Sequence, residues 1–244
     1  MSVTVAVRAP GPDASEGAVP GDTPDVTLTD HEGVADLVVA VGDEALRSLV
    51  DDPAPVATLP VATSVGRHGV ARERVRETLA DLTPATVEAR TVAHPLLSVD
   101  VGGDEVQGLL DVALVTSEPA HISEYTVADG SSVLGSFRAD GVVVATPAGS
   151  AGYSHATGGP LLAPDTGLAV VPVSPYTTKP RTWVVDAPVT LGVERDESPV
   201  SLVVDGHARR AVTVDDPVRL TVDRTVDLLR PPTLADGARR LEKL

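Results

Sequence analysis

Asp140-Gly141-Val142-Val143-Val144-Ala145-Thr146-Pro147-Ala148-Gly149-Ser150-Ala151-Gly152-Tyr153-Ser154, closing at Gly158-Gly159-Pro160, is the most informative stretch of this 244-residue chain. An apolar run over Val142–Ala145 enters a Pro-Ala-Gly turn, and small residues then open a helical segment, read over Ser150–Thr157. Side chains this small at a helix start let a ligand lie against backbone N–H groups and the positive end of the helix dipole. We read Asp140–Pro160 as the functional centre, lying against a dinucleotide-type ligand. Tyr153 is one of only three tyrosines. A lone tyrosine packs in a core more often than it faces a ligand, yet this one sits inside the glycine-flanked loop.

Outward from this segment the chain has two textures. Towards the N-terminus, apolar strand patterns alternate with helical ones. Val3–Val7 reads as a buried strand, followed by a breaker-rich loop over Ala9–Pro24 and a second strand at Val26–Thr29. Leu37–Val41 is a continuous apolar run, the pattern of a strand covered on both faces. Glu44–Leu49 reads as a short helix, Val56–Ala62 as a strand and Ser64–Gly69 as a loop. Val70, Val75, Leu79 and Leu82 then recur near helical spacing, and Pro84 is expected to close that helix. This predicts a small parallel α/β domain over residues 1–83.

From residue 84 to 231 short Val-rich runs follow one another, separated by Gly, Pro or Asp turns: Leu97–Val101, Val106–Val115, Ile122–Val127, Gly141–Ala145, Leu168–Val173, Trp183–Val185, Val200–Val204 and Val218–Val222. The fold class is therefore α/β plus a larger, mostly β C-terminal domain. Residues 232–244 form a tail, with a terminal helix expected over Leu234–Leu244.

Composition narrows the partners. Aromatics make up 2% of the chain, too few for stacking platforms that grip single-stranded nucleic acid. With 19 Lys+Arg against 35 Asp+Glu, the net charge of -16 repels phosphate backbones and anionic lipid, so neither nucleic acid nor membrane is expected as a partner. Lysine occurs only at Lys179 and Lys243, which fits adaptation to a very salty cytoplasm or, more simply, an acidic protein. The absence of cysteine excludes disulfides and thiolate metal sites. No apolar window approaches the ~20 residues of a membrane helix, and the expected location is cytoplasmic. The six histidines show no ligand spacing, so no metal ligands are assigned; His155 and His207 read as surface or hydrogen-bonding residues.

Three further segments are punctuated like the first. Val38–Asp43 is a strand that delivers Gly42 and Asp43 to its carboxyl end, where α/β sheets bind ligands; it is also an ordinary turn pattern. Ser64–Gly69 carries Gly66 and Arg67, the latter a phosphate contact or a solvated loop arginine. Pro172–Tyr176 is a Pro-rich segment, and Val204–His207 reads as a hairpin turn.

In this order the segments resemble the NAD kinase family. Val41-Gly42-Asp43-Glu44-Ala45 stands where that family has Gly-Gly-Asp-Gly-Thr, and Ser64–Ala71 stands at its Asn-x-Gly-x-x-Gly-Phe-Leu segment. Asp140–Pro160 is similar throughout to the family's central signature. Ser174-Pro175, Arg181 and Asp205-Gly206-His207 resemble its later segments, and the likeness spans about Leu37 to Pro231. It implies two domains with the nucleotide between them, and a homo-oligomer or a paralogue partner. It implies phosphoryl transfer from ATP or polyphosphate, with Mg²⁺, to the 2′-hydroxyl of NAD. Asp43 takes the place of the base, and Gly42, Gly66, Arg67, Asp140, Thr146, Gly149, Ser150, Tyr153 and Ser154 the places of the substrate contacts.

The chain departs from the family pattern at Val41, Glu44, Ala45, Val115, Thr116, Ala148 and Ala151. Glu44 sets a carboxylate where a glycine would meet the donor phosphates. Val115 and Thr116 stand where an Asn-Glu pair holds the NAD ribose. Two readings follow: an active kinase with an altered loop, or a catalytically silent relative that binds a nucleotide or assembles with a partner.

Overall fold

The computed structural model describes residues 2–11, 17–63, 69–118, 121–130, 132–195 and 198–231. It divides into two compact units, Met1–Ala93 with Val226–Leu244, and His94–Thr225. Gly66 and Arg67, and the tail helix expected over Leu234–Leu244, lie outside the described residues.

The first unit is built on parallel strands β1 (Val3–Arg8), β2 (Val26–Thr29), β3 (Leu37–Val41) and β4 (Thr58–Val61), in the order β2-β1-β3-β4. All five residues of β3 are buried, which is why its sequence is apolar without alternation. On one face Val3, Val5, Leu37, Val39, Leu59 and Val61 pack with Val75, Leu79 and Val87 from two short helices. On the other face Ala6 and Val38 pack with Ala35, Ala54 and Val56. Arg8 closes that face: its Nε donates to Glu32 Oε1 at 2.8 Å, and a second nitrogen donates to the Asp52 carbonyl.

The expectation that Pro84 closes a helix is corrected here. The pattern from Val70 becomes a 3-10 turn at Arg72–Arg74 and a helix at Val75–Ala80, and Pro84 begins a second helix, Pro84–Arg90. A proline in the first helical turn loses no hydrogen bond, because its N–H would have had no partner. Thr83 caps this helix reciprocally: Thr86 N donates to Thr83 Oγ1 at 3.2 Å, and Thr83 N donates to Thr86 Oγ1 at 2.6 Å. The helix carries the first unit to Ala93, ten residues past the border read at residue 83.

Among its described residues the second unit is all β apart from one short insertion. Its strands are β5 (Thr91–Val101), β6 (Asp104–Gly108), β7 (Asp111–Thr116), β8 (Ser123–Asp129), β9 (Ser132–Ala139) and β10 (Gly141–Ala145), then β11 (Leu168–Val173), β12 (Trp183–Val185), β13 (Val189–Arg195), β14 (Val200–Val204), β15 (His207–Val212) and β16 (Val218–Leu229). One antiparallel sheet has the order β12-β11-β10-β7-β14-β15. The other runs β16-β13-β8-β9, with the β5–β6 hairpin paired to β16. A shared core fills the space between them, with Val112, Leu114, Val142, Val144 and Leu202 from the first sheet and Leu97, Tyr125, Val127, Leu191 and Leu220 from the second. The last residues of β16 continue into the first unit, where Leu228 pairs in parallel with Thr58 of β4.

The predicted run Val106–Val115 is two strands broken at Leu109–Leu110, and β9, β13 and β15 were not anticipated. The insertion expected over Ser150–Thr157 is a 3-10 turn, Gly149–Ala151, and a one-turn helix, Tyr153–Ala156.

Replacing Thr83 by Ala removes the arm in which Thr83 Oγ1 accepts Thr86 N, keeps the backbone arm to Thr86 Oγ1, and lowers the free energy of unfolding by about 0.5–2 kcal/mol. Urea unfolding in molar KCl measures this; an unchanged midpoint would show that the Thr83 side-chain arm contributes nothing.

Candidate functional site

In the first unit the candidate residues stand at the carboxyl end of β3. Gly42 leaves the strand at φ 81°, a left-handed conformation that a side chain at this position would strain. The chain turns directly into the helix Gly42–Arg47, so this helix starts two residues earlier than its apolar pattern suggested. Ala45 and Leu46 face inward, Asp43 is half-buried, and Glu44 is exposed. Asp43 and Glu44 occupy the first turn and Arg47 the last, each sign at the end of the helix dipole it complements.

In the second unit the candidate segment is fixed by a corner of backbone at Leu109–Asp111. The Asp205 carboxylate accepts three N–H bonds there: Leu109 N at 2.9 Å, Leu110 N at 2.7 Å and Asp111 N at 3.1 Å. From the other side, Thr146 Oγ1 donates to the Leu109 carbonyl at 2.7 Å, and Thr146 N to the Leu110 carbonyl at 2.9 Å. Gly149 lies directly against this corner, and a Cβ there would fall 2.0 Å from the Leu110 carbonyl oxygen. Ser150 Oγ donates to the Pro147 carbonyl and accepts Leu162 N, both at 3.0 Å. Thr146, Ser150 and Ser154 are all fully buried.

The Thr146 and Ser150 hydroxyls and Gly149 therefore hold the scaffold in place, the buried Ser154 Oγ has no hydrogen-bond partner among the described residues, and the segment turns other groups outward. Tyr153 is 42% exposed, and Asp140 is exposed just ahead of β10. Burial, then the negative charges of Asp140 and Asp111, push the Tyr153 hydroxyl above its ordinary pKa. Asp111 itself, opposite Ala145 in the β7–β10 register, is pushed up to about 6 by burial and then by Asp205. Asp111 and Asp205 thus stand at the Ala145 end of β10 and Asp140 at its Gly141 end. His155 and His207 each meet a backbone carbonyl through Nδ1, those of Gly159 at 3.2 Å and Asp205 at 2.9 Å. Among the described residues no group of three or more Asp, Glu or His is arranged to hold a metal ion, and no helix is long and apolar enough to cross a membrane.

Sequence reasoning missed Asp111, which disappeared inside an apolar run, and read Asp205 only as part of a turn. The available signal was the Gly108 break with an acid three residues after it. Thr116 turns into the core, where its Oγ1 meets Tyr125 OH at 2.8 Å and Ser123 Oγ at 3.1 Å. Val115 offers no polar atom at all.

Residues 109–226 match the family model of the ATP-NAD kinase C-terminal domain. Among curated relatives, the NAD kinase of Methanosarcina barkeri is 29% identical over 202 residues, covering 80% of this chain and 72% of that protein. The NAD kinase of Methanopyrus kandleri is 28% identical over 222 residues, covering 88% and 76%. Two solved structures share the fold. Yeast NADH kinase complexed with NADH superposes with a TM-score of 0.72 at 16% identity, over all of this chain and 87% of that one. An NAD kinase from Archaeoglobus fulgidus in complex with ATP gives 0.66 at 21% identity, over 95% of each.

Asp205→Ala leaves three N–H groups of the corner without their acceptor and should cost at least about 3 kcal/mol in urea unfolding. A loss below about 1 kcal/mol would show that the corner holds without it. Asp111 works in the opposite sense. Its folded pKa of about 6 lies above the ordinary aspartate value of 3.8, so the charged form penalises the fold. Stability falls as pH rises from about 4 to about 6, and the penalty is constant above that window. Asp111→Asn should therefore raise the melting temperature at pH 7.5 and lose that advantage at pH 4; a gain of equal size at both would refute the assignment.

Proposed function

We propose that this chain, which belongs to the NAD kinase family, transfers a phosphoryl group from ATP or polyphosphate to the adenosine 2′-hydroxyl of NAD, producing NADP. The observation that carries the reading is the family match over residues 109–226, on a chain that also keeps Gly42-Asp43 at the end of a buried parallel strand. The kinase names of the relatives favour an active enzyme over the silent reading raised by positions 44, 45, 115 and 116.

Asp43 is the base of this proposal. It is half-buried and opens the turn after β3, with room at Gly42 because no side chain stands there. In the reaction the 2′-oxygen forms a bond to the terminal phosphorus while the bond to the ADP or polyphosphate oxygen breaks. The hydroxyl proton passes to the Asp43 carboxylate. Tyr153 and Asp140 are the outward groups of Asp140–Pro160 available to the dinucleotide; Thr146, Gly149 and Ser150 support them by shaping the backbone they stand on, and Ser154 does so through its carbonyl, which accepts Gly159 N. Gly42 gives close backbone approach, and Gly66 and Arg67 keep the role that the resemblance assigns them.

Mg²⁺ would be held mainly by the donor phosphates and would offset their negative charge, since no three-carboxylate set is present among the described residues. Glu44 is exposed, so its carboxylate stays hydrated, and in molar salt its repulsion of phosphate is screened within about 3 Å. An excess of 35 acidic over 19 basic side chains supports work in a salt-rich cytoplasm. Exposed Val133 of β9 and Val184 of β12, with Tyr176, support assembly into a homo-oligomer.

The test is NADP formation by the purified chain in molar KCl with NAD, Mg²⁺ and either ATP or polyphosphate. Activity should fall by at least a hundredfold in Asp43→Asn while NAD binding persists. No NADP with either donor would sink the proposal, and full activity in Asp43→Asn would remove Asp43 from it.

A further inference from the structure

We propose that Tyr125 is a positioning residue for the dinucleotide: its buried hydroxyl fixes Thr116, and the Thr116 backbone N–H in turn holds Asp140 at the ligand; this rests on the NAD reading above. The core between the two sheets is built mainly of Val and Leu, and Thr116, Ser123 and Tyr125 interrupt it with three buried hydroxyls. Thr116 Oγ1 donates to Ser123 Oγ at 3.1 Å, so its proton is spent, and Tyr125 OH donates to it at 2.8 Å. Thr116 ends β7 in one sheet, while Ser123 and Tyr125 belong to β8 in the other. The hydroxyls thus form a strut across the core. Apolar groups of the same shape would fill this space at little or no loss, so stability alone does not account for the strut.

What the strut carries is the entry to β10. Thr116 N donates to the Asp140 carbonyl at 2.8 Å, and Asp140 N donates to the Val173 carbonyl at 3.0 Å. Asp140 is therefore bonded to β7 on one side and to β11 on the other. Just after it, a Cβ on Gly141 would fall 2.4 Å from the Leu114 carbonyl oxygen, which shows how closely β10 starts against β7. The Tyr125 ring reaches Asp140 by a second route. It lies opposite Phe137 in the β8–β9 register, with ring centroids 6.4 Å apart, and β9 runs on through Arg138 and Ala139 to Asp140. One side chain thus bears on Asp140 through the strand before it and the strand beside it.

The two residues also sense each other's charge. Burial holds the Tyr125 hydroxyl above its ordinary pKa despite its bonds with Thr116 and Ser123, and the Asp140 charge adds to the rise. The phenol stays neutral and keeps the proton it donates. Asp140 is exposed, so its side chain faces solvent while its peptide groups are fixed, the arrangement of a preorganised contact.

Titration calorimetry with NAD and a double-mutant cycle on the full chain in molar KCl test this. Tyr125→Phe, which removes one oxygen and keeps the ring, should weaken NAD binding about fivefold, as for one neutral hydrogen bond. In the NADP assay it should raise KM for NAD by a similar factor and leave kcat within about twofold, whereas partial unfolding would lower apparent kcat. Thr116→Val should reproduce the loss, and Thr116→Ser, which keeps the hydroxyl, should restore wild-type affinity. Trp183, the chain's one tryptophan, stacks on Phe137 at 5.9 Å, so its unchanged emission shows that the aromatic packing survives. In an Asp140→Ala background Tyr125→Phe should have no further effect. Wild-type affinity in Tyr125→Phe, or an undiminished loss in the Asp140→Ala background, overturns the inference and leaves the NAD reading intact. A wild-type chain that binds no NAD overturns the NAD reading, and this inference with it.

Discussion

The Asp205 carboxylate, closed on the N–H groups of Leu109, Leu110 and Asp111, is the constraint on which the second unit's site depends. Those three donors belong to the corner between β6 and β7, where no strand partner can take all of them. Satisfying them with one buried carboxylate leaves the carbonyls of Leu109 and Leu110 turned towards the end of β10. Thr146 takes those carbonyls, and Gly149 then meets them so closely that any side chain would collide with backbone. The position of Tyr153 follows, since it begins the turn after Gly149–Ala151. A hydroxyl-and-glycine signature that suggests ligand contacts is, in its side chains, mostly a device for bringing backbone segments together.

That division of labour explains which substitutions the chain accommodates. Ala148 and Ala151 replace hydroxyl residues, yet the turn keeps its bonds because Thr146 and Ser150 make them. Thr116 still has a full set of partners, although they lie in the core. In each case the backbone frame survives and the polar face presented outwards becomes poorer. Asp111 runs against this trend, since it keeps a charge at an energetic cost that nothing in the frame requires.

Much of this architecture was legible in the sequence, wherever burial wrote a simple pattern. β3, β10 and β11 are buried on both faces, and each reads as an uninterrupted apolar run. β15 was invisible because all but its last residue are exposed on a sheet edge, so His207–Val212 carries no apolar alternation. In β9 a register shift disturbs the alternation, and its exposed residues hide the rest. Thr83-Pro84 was ambiguous for a different reason. Proline stops a helix in its interior and starts one in its first turn, and only the reciprocal bonds of Thr83 and Thr86 decide between the two. Among the candidate residues, Gly42 and Asp43 in the first unit and Asp140 and Tyr153 in the second were readable because their neighbours punctuate the chain. Asp111 and Asp205 act through residues some ninety-five positions apart, and no local pattern encodes that pairing.

The acidity of the chain makes the same point at the scale of the surface. Most of the 35 carboxylates stand in water, where salt screens them and their net contribution to the fold is small. Arg8 is an exception: partly buried, it binds Glu32 through two nitrogens, and both the hydrogen bond and the charge hold its pKa up despite desolvation. Asp205 is another, bound to backbone and beyond the reach of screening. High salt therefore leaves the interactions that define the two units almost untouched while it quiets the surface around them. An excess of negative charge that would oppose a phosphate-bearing ligand in dilute solution is in this way compatible with a site whose own acids are few, placed and partly buried.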